Sequence, residues 1–164
     1  IIHKTDVNGV RKVSSKAELK TTFDSIIKTA KKHHPKADIH GILMEEMVET
    51  GHELLIGAKY DEMFGHTIMF GMGGTAVELY RDTSLALVPL NRQGAHQLME
   101  KTRIYSLLKG YRGQKGVDLK ALEEVLCRVS QMLEDFPQIH ELDINPFSMD
   151  ARGGVALDVK ILLK

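Results

Sequence analysis

The segment from Glu141 to Lys160, ELDINPFSMDARGGVALDVK, constrains the fold more than any other part of the sequence. It predicts two apolar strands joined by a turn that contains adjacent glycines. The apolar side chains of both strands are expected to face a core together: Leu142, Ile144, Val155 and Leu157. Because side chains alternate across a strand, the polar ones are expected to share the opposite face: Asp143, Asn145 and Asp158. This arrangement predicts a positively charged group beside them.

Length and composition favour one globular domain, or one domain with a small appendage. The chain has 164 residues, of which 43% are hydrophobic, enough to bury a core. Lys plus Arg and Asp plus Glu number 22 each, so no charge excess favours nucleic acid as a partner. Cys127 is the only cysteine, and no apolar run reaches the roughly 18 residues of a membrane span. We expect a cytoplasmic protein without a membrane partner, and we interpret a chain that begins Ile-Ile-His-Lys as a fragment.

The pattern of elements predicts an α/β (α+β) fold with a mixed sheet. A capping box at Ser15 and Glu18 begins an amphipathic helix that ends near His33. Helical spacing recurs over residues 91–109 and again from Leu119 to Leu133, ahead of Pro137. Strands are predicted at residues 39–47 and 53–60, with a hairpin turn between them over residues 49–52, and at 67–71, 75–80, 84–88, 139–144 and 155–161.

Three segments have the chemistry of a nucleotide site. The oxygen donors of the acidic strands suit Mg²⁺, although a solvated hairpin face is an equal alternative. Gly73 and Gly74, in FGMGGT, predict a turn whose backbone N–H groups approach an anion, and a plain glycine turn is the alternative. The segment HKTDVNGV, with Lys4 and Gly9, would cover phosphates as a mobile loop or be an ordinary turn.

Taken in order, six segments resemble the ATP-grasp domain of ADP-forming acyl-CoA synthetases, of the acetate–CoA ligase type related to the β subunit of succinyl-CoA synthetase. They are HKTDVNGV, MEEMVETGHELLIGAKYDEMFG, IMFGMGGTAVELYRD, LLKGYRG, ELDINPF and ALDVKI. The resemblance extends over essentially the whole chain. It implies an ATP-grasp fold with a partial lid subdomain at residues 1–44, whose first strands are missing, and a core subdomain at residues 45–164.

The resemblance also implies roles for individual residues. Asn145 and Asp158 match the pair that holds the Mg²⁺ of bound ATP or ADP, with Asp143 in support. The nucleotide-binding residues would be Lys4, Gly9, Glu45, Met47, Glu53, Gly73 and Gly74. Of these, Glu45 and Met47 lie at the hinge that holds adenine, and a solvated face is the alternative for both glutamates. The resemblance implies a first phosphoryl carrier, a histidine on the CoA-binding part, and His3 matches a second carrier beside the nucleotide, with an ordinary surface histidine as the alternative. Arg112 would touch an anion or serve only the turn that contains it.

The implied activity is that of an acid–thiol ligase that converts acyl-CoA, ADP and phosphate reversibly into acid, CoA and ATP through phosphohistidine. It implies a CoA-binding α subunit or domain, in trans or fused, a hetero- or homo-oligomer, and a fragment that is inactive alone. Two alternatives stay open. One is a non-catalytic, ligand-sensing module of a protein lysine acetyltransferase. The other is an ATP-grasp ligase that joins an amine or acid through an acyl phosphate.

Overall fold

The computed structural model describes residues 9–49, 51–74, 81–113 and 115–164. These residues form two compact units, one that ends at Met47 and one that extends from Val48 to Lys164. The first contains one helix and the second contains the sheet with its helices. The predicted subdomain boundary between residues 44 and 45 stays a prediction.

Helix α1 of the first unit extends over Lys16–His33. It ends where the sequence predicted, and basic residues in its last turn, including Lys32, complement the negative end of the helix dipole. The predicted capping box is wrong in one respect. The side chain of Ser15 makes no capping hydrogen bond, whereas Oε2 of Glu18 accepts one from the backbone N–H of Ser14 at 3.2 Å. The Glu18 carboxylate therefore accepts from the N–H of Ser14, whereas a capping box would use the N–H of Ser15.

The predicted strand over residues 39–47 is wrong, and the hairpin turn predicted over residues 49–52 includes residue 50, which lies outside the described residues. The described residues between α1 and residue 49 contain no strand, and Leu43 and Met44 are 77% and 76% exposed. An apolar segment forms a strand only when a neighbouring strand pairs with its backbone, and none of the described strands pairs with this one. Local composition cannot supply that partner.

The second unit is built on six strands, all paired antiparallel in the described part of the chain. They are β1 (His52–Asp61), β2 (Gly65–Met72), β3 (Thr83–Leu87), β4 (Ile139–Asp150), β5 (Gly153–Ala156) and β6 (Val159–Leu163). Their order is β3-β2-β1-β4-β5, and β6 also pairs with β4. The α/β (α+β) class is confirmed. A mixed sheet was expected, and the described strands all pair antiparallel. The strand predicted over residues 75–80 lies outside the described residues.

Among the described residues, three helices follow or interrupt the strands: α2 (Arg92–Glu100), α3 (Ile104–Leu108) and α4 (Leu119–Asp135). The helical pattern over residues 91–109 is thus two helices, separated at residues 101–103. Asn91 and Asp118 cap α2 and α4, because their side chains accept hydrogen bonds from backbone N–H groups of the first turn. Pro137 follows the end of α4, as predicted.

These helices cover one face of the sheet and enclose the core with it. The buried residues of that face include Leu54, Ile56, Ile68, Phe70, Leu142 and Ile144, and those of the helices include Leu98, Leu108, Leu122, Leu126 and Leu133. Paired residues on neighbouring strands share a face, so the opposite face carries Gly57, Lys59, Glu141, Asp143 and Lys160. We call this second surface the polar face.

Candidate functional site

A β-bulge in β4 lies at the centre of the predicted site. Between Ile144 and Phe147, two residues of β4, Asn145 and Pro146, oppose a single residue of β1. Ile144 and Phe147 both contribute to the core although they are three positions apart, because the extra residue shifts the alternation of the strand. Bulges of this kind re-aim a side chain, and here the side chain is the amide of Asn145.

The bulge also explains where the predicted alternation is wrong. Leu142 and Ile144 are buried as expected, but Val155 pairs with Ser148 and lies on the face opposite Phe147, where it is 40% exposed. An unbroken alternation along β4 would place Ser148, and with it Val155, on the core face. One inserted residue reverses the orientation of every position beyond it.

The structure brings Asp143, Asn145 and Asp158 together, as the sequence predicted. Asp158 lies in the break between β5 and β6, and its carbonyl oxygen accepts a hydrogen bond from the backbone N–H of Asn145 at 3.1 Å. Asp143, two positions before Asn145 on β4, pairs with Lys160, two positions after Asp158. The two strands therefore present all three oxygen-bearing side chains from adjacent positions, and their role as metal ligands stays a prediction.

Charge at this site is dense. Burial raises the pKa of Asp143 above its ordinary value, and the negative charges of Asp158 and Glu141 raise it further, whereas Lys160 lowers it. The Nζ atom of Lys160 lies 3.8 Å from Oδ2 of Asp158. Lys160 was not singled out in the sequence, although the spacing of Asp158-Val159-Lys160 places it on the same side as the aspartate.

The glycine turn after β2 reaches this acidic strand directly. The N–H of Gly73 donates to the carbonyl of Glu53 at 2.8 Å, and the N–H of Gly74 donates to Oδ1 of Asn145 at 2.9 Å. Gly74 has φ of +76°, and a Cβ added there would overlap the Glu53 carboxylate. A Cβ on Gly73 would overlap the backbone of Leu54. Both positions require glycine for close approach, and their contact with phosphate stays a prediction.

Sequence reasoning missed Asp82, which anchors the other end of the same connection. Its carboxylate accepts hydrogen bonds from the backbone N–H groups of Arg103 and Ile104 at 2.7 and 2.8 Å. Its carbonyl accepts one from the N–H of Met72 at 3.1 Å. Asp82 thereby ties the end of β2 to the first residues of α3, which lie 21 and 22 positions further along the chain. No local motif signals such a distant partner.

The remaining predicted residues fall elsewhere. His3 and Lys4 lie outside the described residues, and Gly9, Glu45 and Met47 belong to the first unit. Glu45 and Met47 are exposed within it. Arg112 adopts φ of +49° and lies over the ring of Tyr111, with Cζ 5.2 Å from the ring centroid. The role of Arg112 stays a prediction.

The donor set suits a cation that shares its coordination with another ligand. Among the residues that the structure describes, no group of three or more His, Cys, Asp or Glu side chains is arranged to hold a metal ion. Asp143 and Asp158 provide only two carboxylates, and Asn145 adds an amide oxygen that already accepts one hydrogen bond. Mg²⁺ commonly binds through one or two carboxylates and completes its shell with water and phosphate oxygens. Separately, no helix in the described part of the chain is long and apolar enough to cross a membrane.

An antiparallel sheet with helices on one face and a glycine turn hydrogen-bonded to an acidic strand on the other defines a candidate nucleotide-binding domain. The family model described as an ATP-grasp domain matches residues 1–163. The chain belongs to the ATP-grasp family, in the branch that includes the β subunits of ADP-forming acetate–CoA ligases. The predicted family is confirmed.

Individual relatives support this placement. The chain is 37% identical over 163 residues to an ADP-forming acetate–CoA ligase I of Archaeoglobus fulgidus, covering 99% of this chain and 24% of the relative. It is 35% identical over 168 residues to the β subunit of ADP-forming acetate–CoA ligase II of Pyrococcus furiosus, covering 100% of this chain and 71% of that subunit. The chain thus spans about a quarter of the Archaeoglobus ligase and about 71% of the Pyrococcus β subunit.

The fold matches that of a solved relative, the dinucleotide-forming acetyl-coenzyme A synthetase 1 of Ca. Korarchaeum cryptofilum. With coenzyme A and Ca-AMPCP bound, that structure gives a TM-score of 0.90 at 38% identity, covering 100% of this chain and 72% of the other. With coenzyme A and Mg-AMPPCP, and with its phosphohistidine segment pointing towards the nucleotide-binding site, it gives 0.87 at 35% identity, covering 99% and 71%. The predicted ATP-grasp fold is confirmed.

Proposed function

We propose that this chain is the nucleotide-binding, phosphoryl-transfer part of an ADP-forming acyl-CoA synthetase. The whole enzyme would convert acyl-CoA, ADP and phosphate into acid, CoA and ATP, reversibly. The observation that carries the proposal is the hydrogen bond from the N–H of Gly74 to Oδ1 of Asn145. It joins the turn proposed to hold phosphate to the strand proposed to hold the metal, in a chain whose relatives are named as ligases of this type.

The residues of the second unit would bind Mg²⁺ and the phosphates of ATP or ADP. Asp158, Asn145 and Asp143 would hold the cation, and the backbone around Gly73 and Gly74 would position the phosphates. Bound Mg²⁺ would neutralise phosphate charge and so make the terminal phosphorus accessible to a nucleophile. Two related structures support the proposal, since one contains Mg-AMPPCP and the other Ca-AMPCP.

His3 would carry the phosphoryl group. In the proposed sequence, phosphate displaces CoA from acyl-CoA and forms an acyl phosphate. A histidine of the CoA-binding part would take the phosphoryl group and release the acid, His3 would take the group from that histidine, and phosphorylated His3 would pass it to ADP. A neutral imidazole suits this role because it is nucleophilic near neutral pH. Lys4 and Gly9 would lie along the covering loop, and Glu45, Met47 and Glu53 would contact the nucleoside.

The first half of the reaction needs a CoA-binding α subunit or domain, in trans or fused. Such a partner is supported by the two forms of the relatives, a separate β subunit and a chain about four times as long as the matched segment. We propose a hetero- or homo-oligomer in the cytoplasm, with acyl-CoA and phosphate as its substrates. The relatives reported above are named as ligases or synthetases, which favours an enzyme over the sensor module of an acetyltransferase.

The test uses the full-length protein with its CoA-binding part. Incubation with acyl-CoA and phosphate, or with ATP, should give an acid-labile, base-stable phosphate label on the peptide that contains His3. His3→Ala should abolish both the label and ATP synthesis while calorimetry still detects Mg²⁺-ADP binding. His33→Ala, in α1, is the matched control and should retain both. An unlabelled wild-type protein that makes no ATP would contradict the proposal.

A further inference from the structure

Lys160 brings a positive charge onto the surface where the cation is proposed to bind. It lies on β6 directly across from Asp143 on β4. Its Nζ atom is 3.8 Å from Oδ2 of Asp158, so the same side chain lies beside one carboxylate and across from the other. One ammonium group therefore acts on both carboxylates of the donor set.

We propose that Lys160 makes the site selective for a metal–nucleotide complex over a free metal ion. Its ammonium neutralises Asp143 and Asp158 until the nucleotide binds, and it then leaves the carboxylates and pairs with a phosphate oxygen. This inference rests on the proposed function, in which Lys160 has no role.

The charges on the polar face explain why the ammonium of Lys160 is useful there. Asp143 has two negatively charged neighbours, Asp158 and Glu141, and it is also partly removed from water. Without Lys160 these side chains would attract any free divalent cation. With Lys160 in place, a free divalent cation has to compete with the ammonium for Asp158. A lysine is suited to this exchange because its charge sits on a flexible four-carbon stem.

A nucleotide changes the balance because it brings negative charge of its own. Once phosphates occupy the neighbouring glycine turn, the displaced ammonium has a new acceptor and its displacement costs less. The side chains of Lys160 and Asp158 are 75% and 58% exposed, so the ion pair is weak enough to exchange. The geometry thus couples the arrival of the metal to that of the phosphates.

The experiment compares the full-length protein with Lys160→Met, Lys160→Gln and Lys160→Arg. Paramagnetic resonance measures the binding of Mn²⁺ without nucleotide, and calorimetry measures the binding of ADP in saturating Mg²⁺. The matched control is Lys59→Met. Lys59 lies on the same polar face, but it pairs with Glu141 and not with Asp143. Thermal melting identifies any variant that fails to fold. If one of the two uncharged variants does not fold, the other one provides the comparison.

The uncharged variants should bind Mn²⁺ about twofold to fivefold more tightly than the wild type, as expected for loss of an exposed ion pair. They should bind ADP more weakly in Mg²⁺, whereas Lys160→Arg and Lys59→Met should resemble the wild type in both measurements. Unchanged or weaker Mn²⁺ binding by the uncharged variants would overturn the inference, and so would an equal gain in Lys59→Met. A wild type without metal-dependent ADP binding would instead refute the proposed function.

Discussion

The backbone N–H of Gly74 donates a hydrogen bond to Oδ1 of Asn145 at 2.9 Å, across 71 positions of sequence. This bond joins the end of β2 to the bulge of β4, although β1 lies between these strands in the sheet. The same amide oxygen is the proposed metal ligand, and a carbonyl oxygen has two lone pairs. One acceptor can therefore fix the glycine turn and still coordinate a cation, which makes Asn145 both a structural and a binding residue.

Substitutions of Asn145 should separate these two roles. Asn145→Ala removes the acceptor of the Gly74 N–H and should lower the free energy of unfolding by about 1 kcal/mol. Asn145→Asp keeps an acceptor oxygen and should be nearer to the wild type in stability. Urea denaturation provides the free energies, and calorimetry with Mg²⁺-ADP should show weaker binding for the alanine variant. Equal stability of the alanine and wild-type proteins would show that the hydrogen bond contributes nothing.

Gly74 allows a test of how much its close contact with Glu53 matters. Gly74→Ala forces a side chain into a backbone with φ of +76° and also into the Glu53 carboxylate. Gly65→Ala is the matched control, since Gly65 has φ of +74° but open space around its added Cβ. The control should lose about 1 kcal/mol from the left-handed conformation alone. Gly74→Ala should lose more in urea denaturation.

The double variant Gly74→Ala with Glu53→Ala completes this test. If overlap with the carboxylate causes the additional loss, removing the carboxylate should recover part of it, so the two changes should not be additive. The longer side chain of Gly74→Val should reduce nucleotide binding further than alanine does. Equal losses at Gly74 and Gly65 would mean that the carboxylate moves aside without cost.

Asp82→Ala should destabilise the second unit by about 1–3 kcal/mol, because it leaves two backbone N–H groups without their charged acceptor. Asp82→Asn keeps one acceptor oxygen and should lose less. Urea denaturation measures both, and Asp61→Ala is a useful comparison, since Asp61 accepts two hydrogen bonds in an exposed turn. A smaller loss for Asp82→Ala than for Asp61→Ala would argue against an anchoring role for Asp82.

The sequence predicted the elements whose cause is local and failed where the cause is a distant partner. The helices that begin at Lys16 and Leu119 have apolar spacing and clear end signals, and both were predicted closely. The segment at residues 39–47 has a strand-like composition, but a strand also needs a neighbour. The grouping of Asp143 with Asn145 followed from alternation, whereas the bulge beside Asn145 depends on pairing with β1. The anchoring by Asp82 depends on tertiary contacts in the same way.

His96, on α2, contacts side chains of α3 and α4 and should make the stability of the second unit depend on pH. Its Nδ1 lies 2.8 Å from Glu123 on α4, and its Nε2 lies 3.3 Å from both Glu100 on α2 and the hydroxyl of Tyr105 on α3. The hydrogen bond with Glu123 is the main cause that raises the pKa of His96, and burial opposes it. The charges of both glutamates raise this pKa further.

The raised pKa fixes the sign of the effect. The folded protein holds the proton of His96 more tightly than the unfolded chain does, so the stabilisation is fully present below the ordinary histidine value of about 6.5. It should be lost as pH rises through the raised pKa of the folded state. The side chain is 40% exposed, so the loss should stay below about 1 kcal/mol.

Glu123→Gln should flatten this pH dependence, because it removes the charge and the strongest acceptor. The measurement is urea denaturation at several pH values on both sides of the ordinary histidine pKa of about 6.5, with His96→Gln as the parallel variant. Glu134→Gln, on the same helix, controls for the loss of one carboxylate. Because the free energy of unfolding depends on the difference in bound protons, both test variants should lose stability at low pH and match the wild type at high pH. The contrary result is a free energy of unfolding with the same pH dependence in the wild type, the two test variants and the Glu134→Gln control. It would show that the contact between His96 and Glu123 does not link the helices.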